Sequence, residues 1–124
     1  MNDEIYMDFI LENYKNPRNY GKIENPTSIS HGSNPFCGDE IFIYLKIDNN
    51  KISDIKFTGK GCAISQASAS ILTEMVKGKD VDYARNLKDE DLLKELGIKL
   101  SPVRMKCALL SLWTLRDAIS KLNH

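Results

Sequence analysis

Three cysteines and one aspartate are the residues of this chain whose types and spacing suit metal or sulfur chemistry. Cys37 lies in an Asn-Pro-Phe-Cys-Gly-Asp segment that ends at Asp39, Cys62 follows a Gly-Lys-Gly segment, and Cys107 follows an Arg-Met-Lys segment. Proline fixes φ, glycine accepts a positive φ, and Asn and Asp bond their own backbone, so the first segment predicts a tight turn that carries a thiol. A thiolate and a carboxylate can bind the same zinc or iron ion. We predict that Cys37, Asp39, Cys62 and Cys107 form one metal or sulfur-handling site.

The cysteines also have a simpler interpretation, because a cysteine taken alone is most often a small buried hydrophobe. Cys37 and Cys62 each adjoin a glycine in a predicted loop, and Cys107 lies near a helix start beside basic residues. These positions are unusual for inert core thiols. The chain has no Cys-x-x-Cys motif, which disfavours a zinc ribbon, a thioredoxin-type redox site and ferredoxin spacing.

Local charges predict that two of the thiols ionise readily. Cys62 lies at or near the N-terminus of a predicted helix, where the dipole and free backbone N–H groups favour a thiolate. Arg104 and Lys106 favour a thiolate at Cys107 by charge. Lys106 is either an ordinary solvated lysine or a cation that stabilises a sulfur anion or pairs with Asp39, which in turn is either a ligand or only a turn residue.

A predicted β-hairpin brings the first two cysteines together. Residues 40–47 alternate in a strand pattern, residues 48–51 form a turn, and residues 52–58 return as a second strand. Cys37 precedes the first strand and Cys62 follows the second. Antiparallel pairing therefore places both thiols at the same end of the sheet. Residues 27–31 predict a short additional edge strand.

Helical periodicity predicts five helices around this hairpin. Their approximate ranges are 3–15, 63–77, 81–85, 89–96 and 102–121, the last with Ser101 as N-cap. In the first helix, Ile5, Tyr6, Phe9, Ile10 and Tyr14 form the predicted core-facing stripe. In the last helix, the predicted stripe contains Ala108, Leu112, Leu115, Ile119 and Leu122, with Met105 and Leu109 beside it and Cys107 off its centre.

Length and composition predict a single domain over residues 1–124 in a reducing compartment. A chain of this length buries about two thirds of its unfolded surface without a metal or disulfides, so a metal site would serve function. The 17 basic and 17 acidic residues are interspersed, which gives no indication of a nucleic-acid or membrane partner. The acidic start lacks the features of a signal peptide. The odd cysteine count fits free thiols, and we expect a cytoplasmic protein.

Together, these motifs resemble the IscU/SufU proteins, also called NifU-like N-terminal domains, which act in iron–sulfur cluster assembly. The resemblance covers nearly the whole chain. Its motifs are Asn16-Pro17-Arg18-Asn19 after the first helix, the segment 34–39, the segment 59–68 around Cys62, and the Cys107 helix. It implies an α+β fold with a three-stranded antiparallel sheet packed against about five helices.

The resemblance also implies a function and a set of partners. Cys37, Cys62, Cys107 and Asp39 would hold a transient 2Fe–2S cluster, or zinc in the cluster-free form. Sulfur would arrive as persulfide from a PLP-dependent cysteine desulfurase. We predict Cys107 or Cys62 as the acceptor, with Cys107 favoured by its cationic neighbours, and Lys106 as an auxiliary residue. The assembled cluster would pass to apo iron–sulfur proteins. The expected protein is a scaffold and sulfur acceptor rather than an enzyme, either a monomer or a cluster-bridged dimer.

The sequence departs from both branches of the family. In the IscU branch a histidine precedes the third cysteine, whereas Lys106 stands there in this chain. A basic residue before the cysteine looks more like the SufU branch, which binds zinc and relays sulfur. SufU proteins carry an insertion between the second and third cysteines, and only 44 residues separate Cys62 from Cys107. The segment 100–104 only approximates the Leu-Pro-Pro-Val-Lys motif that binds an Hsp70-type chaperone, so support for that partner is weak.

Three functions remain open from the sequence. The first is a cluster assembly scaffold, in which an oxygen ligand in place of a fourth thiolate makes the cluster labile enough to release. The second is a SufU-like zinc-dependent sulfurtransferase that relays persulfide from a cysteine desulfurase without holding iron. The third is a domain whose metal is purely structural, which the adequate size of the domain argues against.

Overall fold

A computed structural model describes residues 3–123, which form a three-stranded antiparallel sheet and five α-helices. In chain order these are α1 (Asp3–Lys15), β1 (Ser28–Asn34), β2 (Asp39–Asp48), β3 (Lys51–Lys60), α2 (Ala63–Val76), α3 (Val81–Arg85), α4 (Asp89–Leu96) and α5 (Pro102–Ser120), followed by a 3₁₀ turn, Lys121–Asn123. The predicted α+β architecture is confirmed. Residues 1, 2 and 124 of the predicted domain lie outside the described range.

The sheet has the strand order β1-β2-β3, and both pairings are antiparallel. The predicted hairpin of β2 and β3 is therefore confirmed, and its inner face is fully buried at Ile43, Leu45, Ile55 and Phe57. The predicted edge strand at 27–31 was too short, because β1 continues to Asn34 and pairs there with Asp39, the first residue of β2. Asn34 and Asp39 thus belong to the sheet, and only residues 35–38 form the turn between them.

Residues 16–21 connect α1, α2 and the outer edge of β3 through hydrogen bonds. The backbone N–H of Arg18 donates to Ser70 Oγ over 2.8 Å, and Ser70 Oγ donates to Asn13 Oδ1 over 2.7 Å. Beside them, Phe57 and residues 19–21 exchange two backbone hydrogen bonds along the edge of β3. An exposed strand edge invites pairing with other chains, and this segment covers part of that edge.

Helix α5 packs closely against β1 because Gly32 has no side chain. A Cβ atom on Gly32 would lie 2.1 Å from Thr114 Oγ1, a separation that real atoms do not adopt. Ser28 Oγ donates to the Ala118 carbonyl over 2.8 Å, about one turn further along α5. The N-terminal half of α5 is thereby directed towards the turn at residues 35–38. Among residues 3–123, no helix combines the length and apolar character needed to cross a membrane.

The predicted α5 stripe is buried at Ala108, Leu112, Leu115 and Ile119. Leu122, the last residue of that stripe, is half-buried. Leu109, predicted beside the stripe, is buried, whereas Met105 is exposed.

The predicted core stripe of α1 is wrong in part. Ile10 is buried and Tyr6 is half-buried, but Ile5, Phe9 and Tyr14 are exposed. A further inward residue, Asn13, is polar and bonds Ser70. Apolar residues occur all around this helix, so their periodicity did not identify the face that packs on the protein.

Two conservative substitutions in α1 separate the buried position from the exposed one. Ile10→Ala removes a side chain that is 1% exposed, and we expect it to lower the free energy of unfolding by about 2–5 kcal/mol because it leaves a cavity. Ile5→Ala acts on a side chain that is 64% exposed and should change that free energy by less than about 0.5 kcal/mol. Urea unfolding of the metal-free variants measures both. Equal losses of unfolding free energy in the two variants would support the predicted core-facing stripe and contradict the buried face of α1 observed in the structure.

Candidate metal centre

The turn between β1 and β2 holds Cys37 at the end of the sheet. The backbone N–H of Cys37 donates to the Asn34 carbonyl over 3.2 Å and closes the turn. The strands on either side are paired down to Asn34 and Asp39, so the turn has little freedom to move away from them. The Cys37 thiol is half-buried and not oxidised.

Asp39 is buried, and only one of its carboxylate oxygens has a hydrogen-bond partner. Its side chain Oδ1 accepts the backbone N–H of Cys62 over 2.9 Å, whereas the buried Oδ2 has none among the described residues. Leaving a buried carboxylate oxygen unpaired is costly. Gly61 makes this arrangement possible, because a Cβ atom there would lie 2.2 Å from Asp39 Oδ1. The unpaired oxygen suits a cation.

Cys107 completes a group of three potential ligands. Its thiol is fully buried, and its Sγ lies 3.0 Å from Cys37 Sγ. One ligand atom from each of Cys37, Asp39 and Cys107 lies within 4.8 Å of the other two. Two sulfurs and one carboxylate oxygen suit zinc or iron, whereas magnesium and calcium prefer oxygen ligands alone. The residues present therefore fit the metals that the sequence indicated.

The ionisation predicted for Cys107 was wrong for the metal-free protein. Burial raises the pKa of the Cys107 thiol well above its usual range, and the adjacent side chains of Cys37 and Asp39 and the nearby charges of Cys62 and Asp39 raise it further. Arg104 and Lys106 precede Cys107 in the sequence but are exposed, so water screens their charges. A metal ion that binds here must displace the proton of this thiol.

Cys62 lies beside the three-residue group rather than within it. It is the N-cap residue of α2, with φ −73° and ψ 164°, as its predicted place at the helix N-terminus requires. Its backbone N–H is committed to Asp39, and its half-buried thiol is not one of the three clustered ligand atoms. The structure thus brings Cys37, Asp39 and Cys107 together and leaves the Cys62 thiol beside this group, at the rim of the site.

Lys106 does not make the ion pair suggested by the sequence. Its side chain lines a cavity of about 250 Å³ on the outer side of the turn, together with Phe36 and Trp113. No ion pair of Lys106 occurs within residues 3–123, and Asp39 Oδ2 remains without a partner.

Sequence reasoning missed two residues that shape the centre. Asn34 was interpreted as turn chemistry alone, yet its side chain Nδ2 lies 3.9 Å from Cys107 Sγ. Gly61 is only a glycine of a predicted loop in the sequence, yet its missing side chain makes room for the Asp39 carboxylate. An amide three residues after the end of the predicted edge strand carries no sequence signal for contact with a cysteine 73 positions away.

Over most of its length, the chain is similar to proteins that carry two different names, SufU and IscU. It is 37% identical over 136 aligned positions to the zinc-dependent sulfurtransferase SufU of Bacillus subtilis, covering 96% of this chain and 92% of that protein. It is 40% identical over 115 positions to the iron–sulfur cluster assembly scaffold protein IscU 1 of Archaeoglobus fulgidus, covering 93% of this chain and 74% of that protein.

A solved structure and a family profile agree with these relatives. The crystal structure of a protein described as an iron–sulfur cluster assembly scaffold for the SUF system, from Fervidobacterium islandicum AW-1, superposes with a TM-score of 0.77 at 35% identity, covering 96% of this chain and 99% of that one. The profile described as NifU-like N terminal domain matches residues 5–124. The resemblance found from the motifs is confirmed, and the chain belongs to the NifU-like N-terminal domain family.

Proposed function

We propose that this protein is a scaffold on which an iron–sulfur cluster is assembled and from which it is released. The observation that carries the proposal is the group formed by the half-buried Cys37 and the buried Asp39 and Cys107, in which one carboxylate oxygen has no partner. The relative from Archaeoglobus fulgidus, named as an assembly scaffold, supports it.

The cluster is the cargo of this site, and four side chains of the chain would hold it. Cys37, Cys107 and Asp39 already lie together, and a rotation of the Cys62 side chain at the rim would supply the fourth ligand. Bound there, the 2Fe–2S cluster supplies the iron and sulfide that recipient proteins need. A carboxylate binds iron less tightly than a thiolate does, so the Asp39 position is where an entering thiolate exchanges most easily.

Asp39 has two roles in this proposal, one for each oxygen. Oδ1 is held by the Cys62 backbone N–H, which fixes the orientation of the carboxylate, and Oδ2 remains for the cargo. Once displaced, the carboxylate can accept the proton of the entering recipient thiol, since a thiol must lose its proton to bind a metal. Assembly and release would then use the same residue.

Sulfur would come from a PLP-dependent cysteine desulfurase as a persulfide, and we assign its first acceptance to Cys62. Direct transfer requires a thiol that the donor can reach and that ionises. Cys62 is half-buried at the start of α2, whereas Cys107 is fully buried and its pKa is raised. This assignment replaces the preference for Cys107 that its cationic neighbours suggested from the sequence. Apo iron–sulfur proteins would be the recipients.

A zinc-dependent sulfurtransferase is the second candidate function. Two observations favour it: the relative with that name in Bacillus subtilis, and a lysine at the position before Cys107. In this alternative, Cys37, Asp39 and Cys107 would hold zinc, while Cys62 would leave the metal to take the persulfide. Donor type does not separate the two candidates, because sulfur and carboxylate ligands suit both metals.

Anaerobic reconstitution distinguishes the two candidates. Protein incubated with ferrous iron, cysteine and a cysteine desulfurase should develop the visible absorbance of a 2Fe–2S cluster and then lose it to an added apo-ferredoxin. Labile sulfide and iron, measured on both proteins after separation, check the transfer. If the zinc-loaded protein instead accelerates the desulfurase and no cluster forms, the sulfurtransferase is the function and the scaffold proposal fails.

The role of the carboxylate predicts that Asp39→Ala slows cluster release. We expect a longer-lived cluster and transfer slower by about a hundredfold, the low end of what a positioned base contributes. Asp39→Asn is the matched control, because its amide oxygen keeps an acceptor for the Cys62 N–H but has no charge. Stopped-flow absorbance of the transfer to apo-ferredoxin measures both variants. Transfer at the wild-type rate in both would rule out the proposed role.

The accessibility of the three cysteine thiols predicts which of them first carries the sulfur transferred from the desulfurase. After brief desulfurase treatment of the metal-free protein, mass spectrometry of peptides should find the extra sulfur on Cys62. In the same protein, iodoacetamide should modify Cys107 last, because Cys107 is buried and holds its proton. Cys62→Ser should lose most of the early sulfur, whereas Cys37→Ser should keep it. Sulfur that appears first on Cys37 or Cys107 would contradict the assignment.

A further inference from the structure

Asn34 contacts each of the three residues that form the ligand group. Its side-chain Nδ2 lies 3.9 Å from Cys107 Sγ. Its carbonyl accepts the backbone N–H of Cys37 over 3.2 Å. Its backbone pairs with Asp39 across β1 and β2. Asn34 is also buried, at 9% exposure.

The amide of Asn34 is the only N–H group that bonds a cysteine sulfur among residues 3–123. The backbone N–H of Cys62 donates to the Asp39 carboxylate instead. The second contact of Cys107 Sγ is with another thiol, Cys37. When Cys37 and Cys107 ionise to bind a cation, the side-chain N–H of Asn34 remains as an uncharged hydrogen-bond donor to the Cys107 sulfur.

The turn itself does not require an amide at position 34. The hydrogen bond that closes the turn uses the backbone carbonyl of Asn34, which any residue provides. The pairing with Asp39 is also made by the backbone. What an asparagine adds at this place is its side-chain N–H, and the sulfur of Cys107 is the partner of that group.

We propose that Asn34 is a positioning residue of this metal centre, whose amide N–H bonds the Cys107 thiolate, orients its sulfur and withdraws electron density from it. The inference rests on the proposed function, because it assumes that Cys37, Asp39 and Cys107 bind a metal ion or a cluster. Hydrogen bonds to ligand atoms orient them and tune the metal, and hydrogen bonds to cluster sulfurs shift reduction potentials. Asn34 thereby offsets part of the negative charge that the ligands concentrate in a buried place.

Cobalt(II) is the probe that tests this role, because it replaces zinc in sulfur sites and its thiolate-to-metal charge-transfer absorption reports electron density on the sulfur. Asn34→Leu removes the donor at similar volume. We expect its charge-transfer absorption to move to longer wavelength and its cobalt and zinc affinities to fall about 10–100-fold, as for other residues that support metal ligands. Ser33→Ala, at the neighbouring strand residue, is the matched control and should keep the wild-type spectrum and affinity.

A second variant and an unfolding measurement separate this role from a loss of fold. Asn34→Ala removes the same donor without adding apolar bulk and should show the same spectral shift, and urea unfolding of the metal-free variants reports their stability. If Asn34→Leu does not fold, the Asn34→Ala spectrum decides. Wild-type absorption and affinity in a folded Asn34 variant would overturn the inference. Failure of the wild-type protein itself to give a thiolate–cobalt absorption would instead refute the metal centre of the proposed function.

Discussion

The hydrogen bond from the Cys62 backbone N–H to Asp39 Oδ1 is the interaction on which the candidate site depends. It joins the end of β3 and the start of α2 to the first residue of β2. The Cys62 N–H holds Oδ1 of the carboxylate, and the buried Oδ2 is left without a partner beside the sulfurs of Cys37 and Cys107. The bond forms only because Gly61 carries no Cβ atom where the carboxylate approaches the backbone.

The same group is unfavourable without a metal ion, and in the proposed function this would allow it both to bind its cargo and to release it. A buried carboxylate oxygen without a partner and a thiol whose pKa is raised store free energy that a cation relieves. Three thiolates and a carboxylate nevertheless carry more negative charge than a divalent ion neutralises, and this excess is costly to bury. The positive end of the α2 dipole, at Cys62, reduces the cost without cancelling it.

The sequence was sufficient for the parts of the structure that depend on local pattern. The β2–β3 hairpin follows from strand alternation around a polar turn, and it alone places Cys37 and Cys62 at one end of the sheet. The burial of Cys107 could not be predicted in this way, because it depends on how closely α5 approaches β1 at Gly32. Charges beside Cys107 in sequence suggested a thiolate, whereas its surroundings in space impose the opposite. The inward face of α1 was missed because apolar residues surround that helix and the buried Asn13 is polar.

The two candidate functions differ mainly in what Cys62 does, since the other ligands are common to both. A cluster needs a fourth ligand, and a Cys62 side chain turned inward provides it. A sulfur relay needs an accessible nucleophile, and a Cys62 side chain left at the rim provides that instead. The backbone of Cys62 is fixed by the bond to Asp39 in either case, so only the side-chain rotation must change. A site of this kind can accept sulfur on Cys62 first. Once an external two-electron reductant, such as a thiol, has cleaved the persulfide to sulfide and the Cys62 thiolate, the same residue can close on the cargo, which makes acceptance and assembly successive states of one centre.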